Sequence, residues 1–73
     1  DELDMKLLSE SINSFLKTIS ERDRTVFLRR YFYAEAVTEI AERMDITPNN
    51  VSAILARSRA KLREHLTKEG FEI

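Results

Sequence analysis

Asn49, Asn50, Ser52 and Ala53 open a stretch that carries Arg57, Arg59, Lys61 and Arg63 further along. The chemistry open to this set is recognition of a nucleic-acid duplex. An Asn amide can bond bidentately to adenine, a Ser hydroxyl to several bases, and an Ala side chain can touch the thymine methyl. Lys and Arg neutralise phosphates. Each residue alone has a plainer reading. Asn49 and Asn50 suit any first helical turn, and Ala53, Ala56 and Ala60 are strong helix formers. The combination of polar tip, small ridge and basic cluster favours DNA, although Thr47 to Ala56 holds no charge.

Other chemistries lack their parts. There is no cysteine, one glycine and a single histidine, His65. Disulfides, Cys-based metal sites and glycine-rich phosphate loops are therefore absent. No second His, and no acid at ligand spacing on the same face, accompanies His65, so no metal site is expected. Nothing suggests a nucleophile–base pair. The reading is non-enzymatic, with no catalytic residue and no cofactor.

These side chains need helices to position them. One Gly, one Pro and 34% charged residues in 73 positions suit a single all-α domain. The expected fold is a small bundle of four helices containing a helix-turn-helix. The first helix is expected over about Leu3 to Thr18, with Leu8, Ile12, Phe15, Leu16 and Ile19 recurring at three- and four-residue steps. Ser20 caps a second helix, about Glu21 to Tyr33, with Asp23 three residues on. Its inward face is expected to hold Val26, Phe27, Tyr31, Ala34 and the stem of Arg30. Ala34 to Val37 connects to a third helix, about Thr38 to Met44, ended by Asp45, which tolerates the left-handed conformation. Thr47-Pro48 places a capping hydroxyl before a first-turn proline. The fourth helix is expected to reach about Lys68, with Gly70 as its terminator.

The third and fourth helices, joined by a three-residue turn, match a helix-turn-helix over about residues 38–62. Ala41 permits the close crossing. Ile40, Met44, Ile46, Val51 and either Ile54 or Leu55 flank it. Any tight helical hairpin needs similar residues, so spacing alone leaves a plain hairpin open. On a helical projection of about 100° per residue, Val51, Leu55, Ser58, Leu62 and Leu66 share one side. Asn49, Ser52, Ala53, Ala56, Arg57 and Ala60 share the other, with Arg63 and Glu64 further along.

The net charge of −1 is unlike that of a strongly basic nucleic-acid binder. The distribution is more informative. Residues 1–45 hold 7 Lys/Arg and 10 Asp/Glu, whereas residues 46–73 hold 5 and 3. No apolar run approaches a membrane span, and no signal peptide is visible, so a cytoplasmic location without a membrane partner is expected. The chain starts at Asp1 without a Met, which suggests a domain, residues 1–73, excised from a longer protein.

The segments ISERDRTVFLRRYF, TEIAERMDIT and VSAILARSRAKLREHL, in that order, resemble region 4, the C-terminal domain of bacterial sigma factors. The likeness is strongest to the extracytoplasmic-function type and covers about residues 8 to 68. It implies recognition of the promoter −35 element, binding to the β flap of RNA polymerase and, in many members, silencing by an anti-sigma factor. It implies a phosphate contact for Thr38 and base reading by Asn49, Asn50, Ser52 and Ala53. Arg57, Arg59 and Lys61 match the family's basic stretch, used for backbone contact and packing. The family often has Pro at Ser20, Leu at Arg29, Lys at Ser52 and Arg at Ile54. The last two departures remove cations from the reading end and imply weak DNA binding by the domain alone.

Val26-Phe27-Leu28 and Tyr31-Phe32-Tyr33 run all the way round the second helix, so one side cannot face a single core. Leu28 and Phe32, one turn apart, are expected to form an exposed apolar patch that meets the polymerase flap or an anti-sigma factor. Arg22, Arg24 and Arg29 read as a solvated face. Two other functions compete: the effector domain of a response regulator, which has a similar motif, and a helical protein-interaction module without DNA contact. The length of the fourth helix favours the sigma reading over the first. The scarcity of cations at the tip is the best support for the second.

Overall fold

Each helix begins where a side chain can satisfy an orphan backbone donor. In the computed structural model, which describes residues 1–72, the helices are α1 (Glu2–Leu16), α2 (Glu21–Tyr31), α3 (Val37–Met44) and α4 (Pro48–Lys68). Ile73, the last residue of the expected domain, lies outside the described residues. The Asp1 carboxylate accepts from the Asp4 N–H at 3.0 Å, Ser20 Oγ from Asp23 at 3.1 Å, and Thr47 Oγ1 from Asn50 at 3.1 Å. Ala36 at the start of α3 has no acceptor of its own. The Glu39 carboxylate accepts the Ala36 N–H instead, at 3.3 Å, so α3 starts one residue earlier than expected.

Helix ends account for the other shifts. α1 stops at Leu16, two residues early, because Lys17 and Thr18 bond back to Ser14 and Phe15 in tighter turns, and Thr18 Oγ1 also donates to the Phe15 carbonyl. α2 stops at Tyr31 because the N–H groups of Phe32 and Tyr33 converge on the Leu28 carbonyl, at 2.8 and 3.1 Å. Ala34 then takes φ +55°, a left-handed conformation. Three expected inward residues of α2 are therefore placed differently. Tyr31, at the last turn of the helix, is 47% exposed. Ala34 lies beyond the helix, and Arg30 is exposed, with Nη1 donating to the Glu35 carbonyl at 3.0 Å.

α4 is the axis of the bundle and touches all three other helices. Val26, Ile40, Ala41, Val51, Ile54 and Leu55 form one buried cluster, with Val37, Met44 and Ile46 against it. Phe15, Leu16 and Phe27 form a second, closed by Ile12, Ile19, Leu28 and Leu62. The Phe15 and Phe27 rings meet edge to face, with centroids 6.2 Å apart, an arrangement favoured by the ring quadrupoles. The first half of α1 is much barer, with Leu3, Met5, Leu7 and Leu8 exposed, so the expected inward face of this helix begins only after Leu8.

The far end of α4 is tied back onto this frame. Gly70 adopts φ +93°, and the Phe71 N–H returns to the Leu66 carbonyl at 3.0 Å. This is the αL closure that glycine permits. His65 sits beside the Phe15 ring, and its Nε2 lies 3.1 Å from Glu69 Oε1. The buried Ser11 hydroxyl donates to the same carboxylate oxygen, linking α1 to the end of α4. His65 thus has a structural setting. No group of His, Cys, Asp and Glu among the described residues could hold a metal ion.

Candidate nucleic-acid interface

The turn between α3 and α4 fixes the presentation of everything downstream. Asp45 adopts φ 56° and ψ 46°, the left-handed conformation expected of it. Its N–H reaches the Glu42 carbonyl at 3.4 Å, and the Ile46 N–H reaches Ala41 at 3.0 Å. Both bonds belong to the Schellman closure, in which an apolar residue after the turn packs back on the helix. Ile46 does so, against the cluster that holds Ala41. Thr47 caps the next helix and Pro48 is its first residue.

From that start, α4 divides into two sides. Val51, Ile54, Leu55, Ser58 and Leu66 are buried. Asn49, Asn50, Ser52, Ala53, Ala56, Arg57 and Ala60 are all exposed. The flank that had to be outward for base reading is outward. Both Ile54 and Leu55 enter the core, where the spacing left a choice between them. Ile54 is only 2% exposed. An Arg here, which the resemblance would lead one to expect, would therefore not emerge on the outward flank of this chain. Only the Ser52 departure bears on charge at the tip.

At about 100° per residue, Asn49, Ala53, Ala56 and Ala60 form a low ridge along the centre of the outward side. Asn50, Arg57 and Lys61 lie along one edge of it; Ser52, Arg59 and Arg63 lie along the other. A major groove has a floor of base edges between two phosphate walls. A ridge of short side chains between two basic edges matches that cross-section. The first turn of α4 contains no acid, so nothing opposes the positive end of the helix dipole there.

The cations elsewhere are differently occupied. Arg22 pairs with Asp23 at 3.1 Å, and Arg24 Nη1 donates to the Leu16 carbonyl at 3.2 Å. Glu35 pairs with Arg29 at 3.1 Å and with Arg43 at 3.6 Å, tying α2 to α3. With Arg30 on the Glu35 carbonyl, every arginine of α2 and α3 has an internal acceptor. Arg24 and Arg29 are therefore structural, where the sequence suggested a solvated face. Among the described residues, the side chains of Asn49, Asn50, Ser52, Arg57, Lys61 and Arg63 make no hydrogen bond or ion pair within the protein. Arg59 alone of the basic cluster is engaged. Its Nη1 donates to Tyr31 Oη at 2.7 Å.

Thr38 is exposed in the first turn of α3. The apolar pair singled out on α2 is split: Leu28 is half-buried against Phe15, Leu16 and Phe27, while Phe32 is 79% exposed. The exposed aromatic surface is Tyr31, Phe32 and Tyr33 together, at the end of α2. Sequence reasoning missed two features here. One is the role of Glu35, an acid in a connection that gave no pattern. The other is the Tyr31–Arg59 bond, which spans 28 residues.

A family model described as Sigma-70, region 4 matches residues 9–62. The RNA polymerase sigma factor SigF of Mycobacterium tuberculosis, in strain CDC 1551 / Oshkosh and in strain H37Rv, is 42% identical to this chain over 57 residues. That alignment covers 78% of this chain and 22% of either relative, so the chain spans less than a quarter of the length of the proteins it matches. No solved structure matches the chain at a significant level.

Proposed function

Because this chain belongs to the sigma-70 region 4 family, we propose that it recognises the −35 element of promoters and so helps RNA polymerase start transcription at them. The observation that carries this reading is the outward side of α4, an unpartnered ridge of Asn49, Ala53, Ala56 and Ala60 between two basic edges. In this account Asn49, Asn50, Ser52 and Ala53 face base edges at the tip. Thr38, Arg57, Arg59 and Lys61 contact the phosphate backbone, which sets position and register.

The domain holds DNA weakly on its own. Only a few cations border the ridge, and each phosphate neutralised contributes about 0.9 to the dependence of log K on log[salt]. Polymerase supplies the rest by tethering the domain beside its site, which raises the effective concentration. The exposed Phe32, with Tyr33 beside it and Leu28 beneath, is the docking surface for the polymerase β flap, and an anti-sigma factor can cover the same surface. The work is cytoplasmic and binding rather than catalytic. No helix among the described residues is long and apolar enough to cross a membrane.

Charge reversal tests the reading. Arg57→Glu with Lys61→Glu, placed in the sigma factor that carries this domain, is expected to abolish transcription from its promoters while polymerase binding persists. Unchanged transcription would favour a protein-interaction module without DNA contact.

A further inference from the structure

We propose that Tyr31 is a positioning residue that holds Arg59 ready for a DNA phosphate. The inference rests on the reading of α4 as a DNA-facing helix and assigns to α2 a part in it. Arg59 Nη1 donates to Tyr31 Oη at 2.7 Å. The phenol is itself well anchored. Its ring lies against Phe27, with centroids 4.9 Å apart, and Phe27 is buried against Phe15. Tyr31, exposed as a residue, is thus fixed at the base of its side chain by the core.

The nature of the acceptor matters. Arg22, Arg29 and Arg43 are held by carboxylates, which cancel their charge. Tyr31 is a neutral acceptor, so Arg59 is held in place and still carries its full charge and its remaining N–H donors. An unheld arginine loses rotamer freedom when it binds, at a cost of about two- to tenfold in affinity. The phenol takes most of that loss during folding, before DNA arrives. Arg59 lies on the same edge of the ridge as Ser52 and Arg63, where one phosphate wall would run.

Phosphate contact is independent of sequence, so the probe is a mixed-sequence duplex of about 20 base pairs at low salt. Tyr31→Phe keeps the ring and removes only the acceptor. It is expected to weaken binding roughly two- to tenfold with the salt dependence unchanged. Arg59→Ala should weaken binding and make the log–log salt slope shallower by about 0.9. The double variant should bind like Arg59→Ala alone. Nitrogen-15 relaxation at Arg59 Nε should show an ordered side chain that becomes mobile in Tyr31→Phe. Unchanged affinity in Tyr31→Phe, additive losses in the double variant, or equal mobility in both proteins would overturn the proposal. Absence of any duplex binding by the parent chain would overturn the phosphate role as well. Loss of promoter selectivity alone, with duplex binding intact, would count against the −35 reading and leave this one standing.

Discussion

The Ile46 N–H donates to the Ala41 carbonyl at 3.0 Å. The residue whose small side chain admits α4 against α3 is thus also the residue whose backbone closes the turn between them. Ala41 is buried in the same cluster as Val51, Ile54 and Leu55. The outward aim of α4 depends on this junction, because a shift in the crossing would rotate Asn49 and Ala53 relative to the rest of the domain.

The junction can be separated from the ridge by placing one bulky residue at each. Ala41→Leu overpacks the crossing and is expected to cost about 1–3 kcal/mol in thermal or chemical denaturation. Ala56→Leu, on the exposed ridge, is expected to change stability by less than about 0.5 kcal/mol. It should nonetheless weaken DNA binding, since the ridge could no longer approach the groove floor. Equal stability losses in the two variants would contradict the division of α4 into a packed and an open side.

Among the described residues, two non-glycine residues occupy the left-handed region, Ala34 at φ +55° and Asp45 at φ +56°. The clash of Cβ with the carbonyl there costs about 1–2 kcal/mol, partly offset in Asp by local hydrogen bonding. Ala34→Gly is therefore expected to stabilise the domain by roughly 1 kcal/mol after the entropy of the unfolded glycine is counted. In a chain of this size that corresponds to a melting temperature higher by about 4–8 °C. Asp45→Gly should give a smaller gain. A lower melting temperature for Ala34→Gly would mean that the α2–α3 connection is held differently.

Phe32 is 79% exposed and Tyr33 70%. Phe32→Asp should leave the melting temperature within a few degrees of the parent, because little packing is lost. In a pull-down with RNA polymerase the same variant should lose most of its binding, since a charge would stand at the centre of the apolar contact. Retained polymerase binding would move the docking surface elsewhere on the domain.

Much of this was legible in the chain. Caps at Ser20 and Thr47, the terminator at Gly70 and the apolar periodicity of α4 act locally, so their residues announce them. Four helices and the helix-turn-helix follow from such signals. Ends set by backbone convergence were harder, as at Leu28, whose carbonyl takes two donors and ends α2 early. The site was legible as far as helical projection reaches, which is the outward position of Asn49, Asn50, Ser52 and Ala53. Long-range pairing was not. Arg29 and Arg59 look alike in sequence, but one is held by Glu35 and the other by the Tyr31 phenol. The connection after α2 supplies one partner, and the packing of α2 against α4 supplies the other. The cluster of Phe15, Leu16 and Phe27 draws Leu28 inward, while Phe32 stays outside.

The most direct test of the central claim is a backbone amide-shift titration of the nitrogen-15-labelled chain with a −35 duplex at low salt. Shifts are expected to concentrate at Thr38 and at Asn49, Asn50, Ser52, Ala53, Arg57, Arg59 and Lys61, with α1 silent. Shifts centred on α1 or on the Phe32 surface, or the same response to a duplex with the −35 bases scrambled, would contradict base reading by α4.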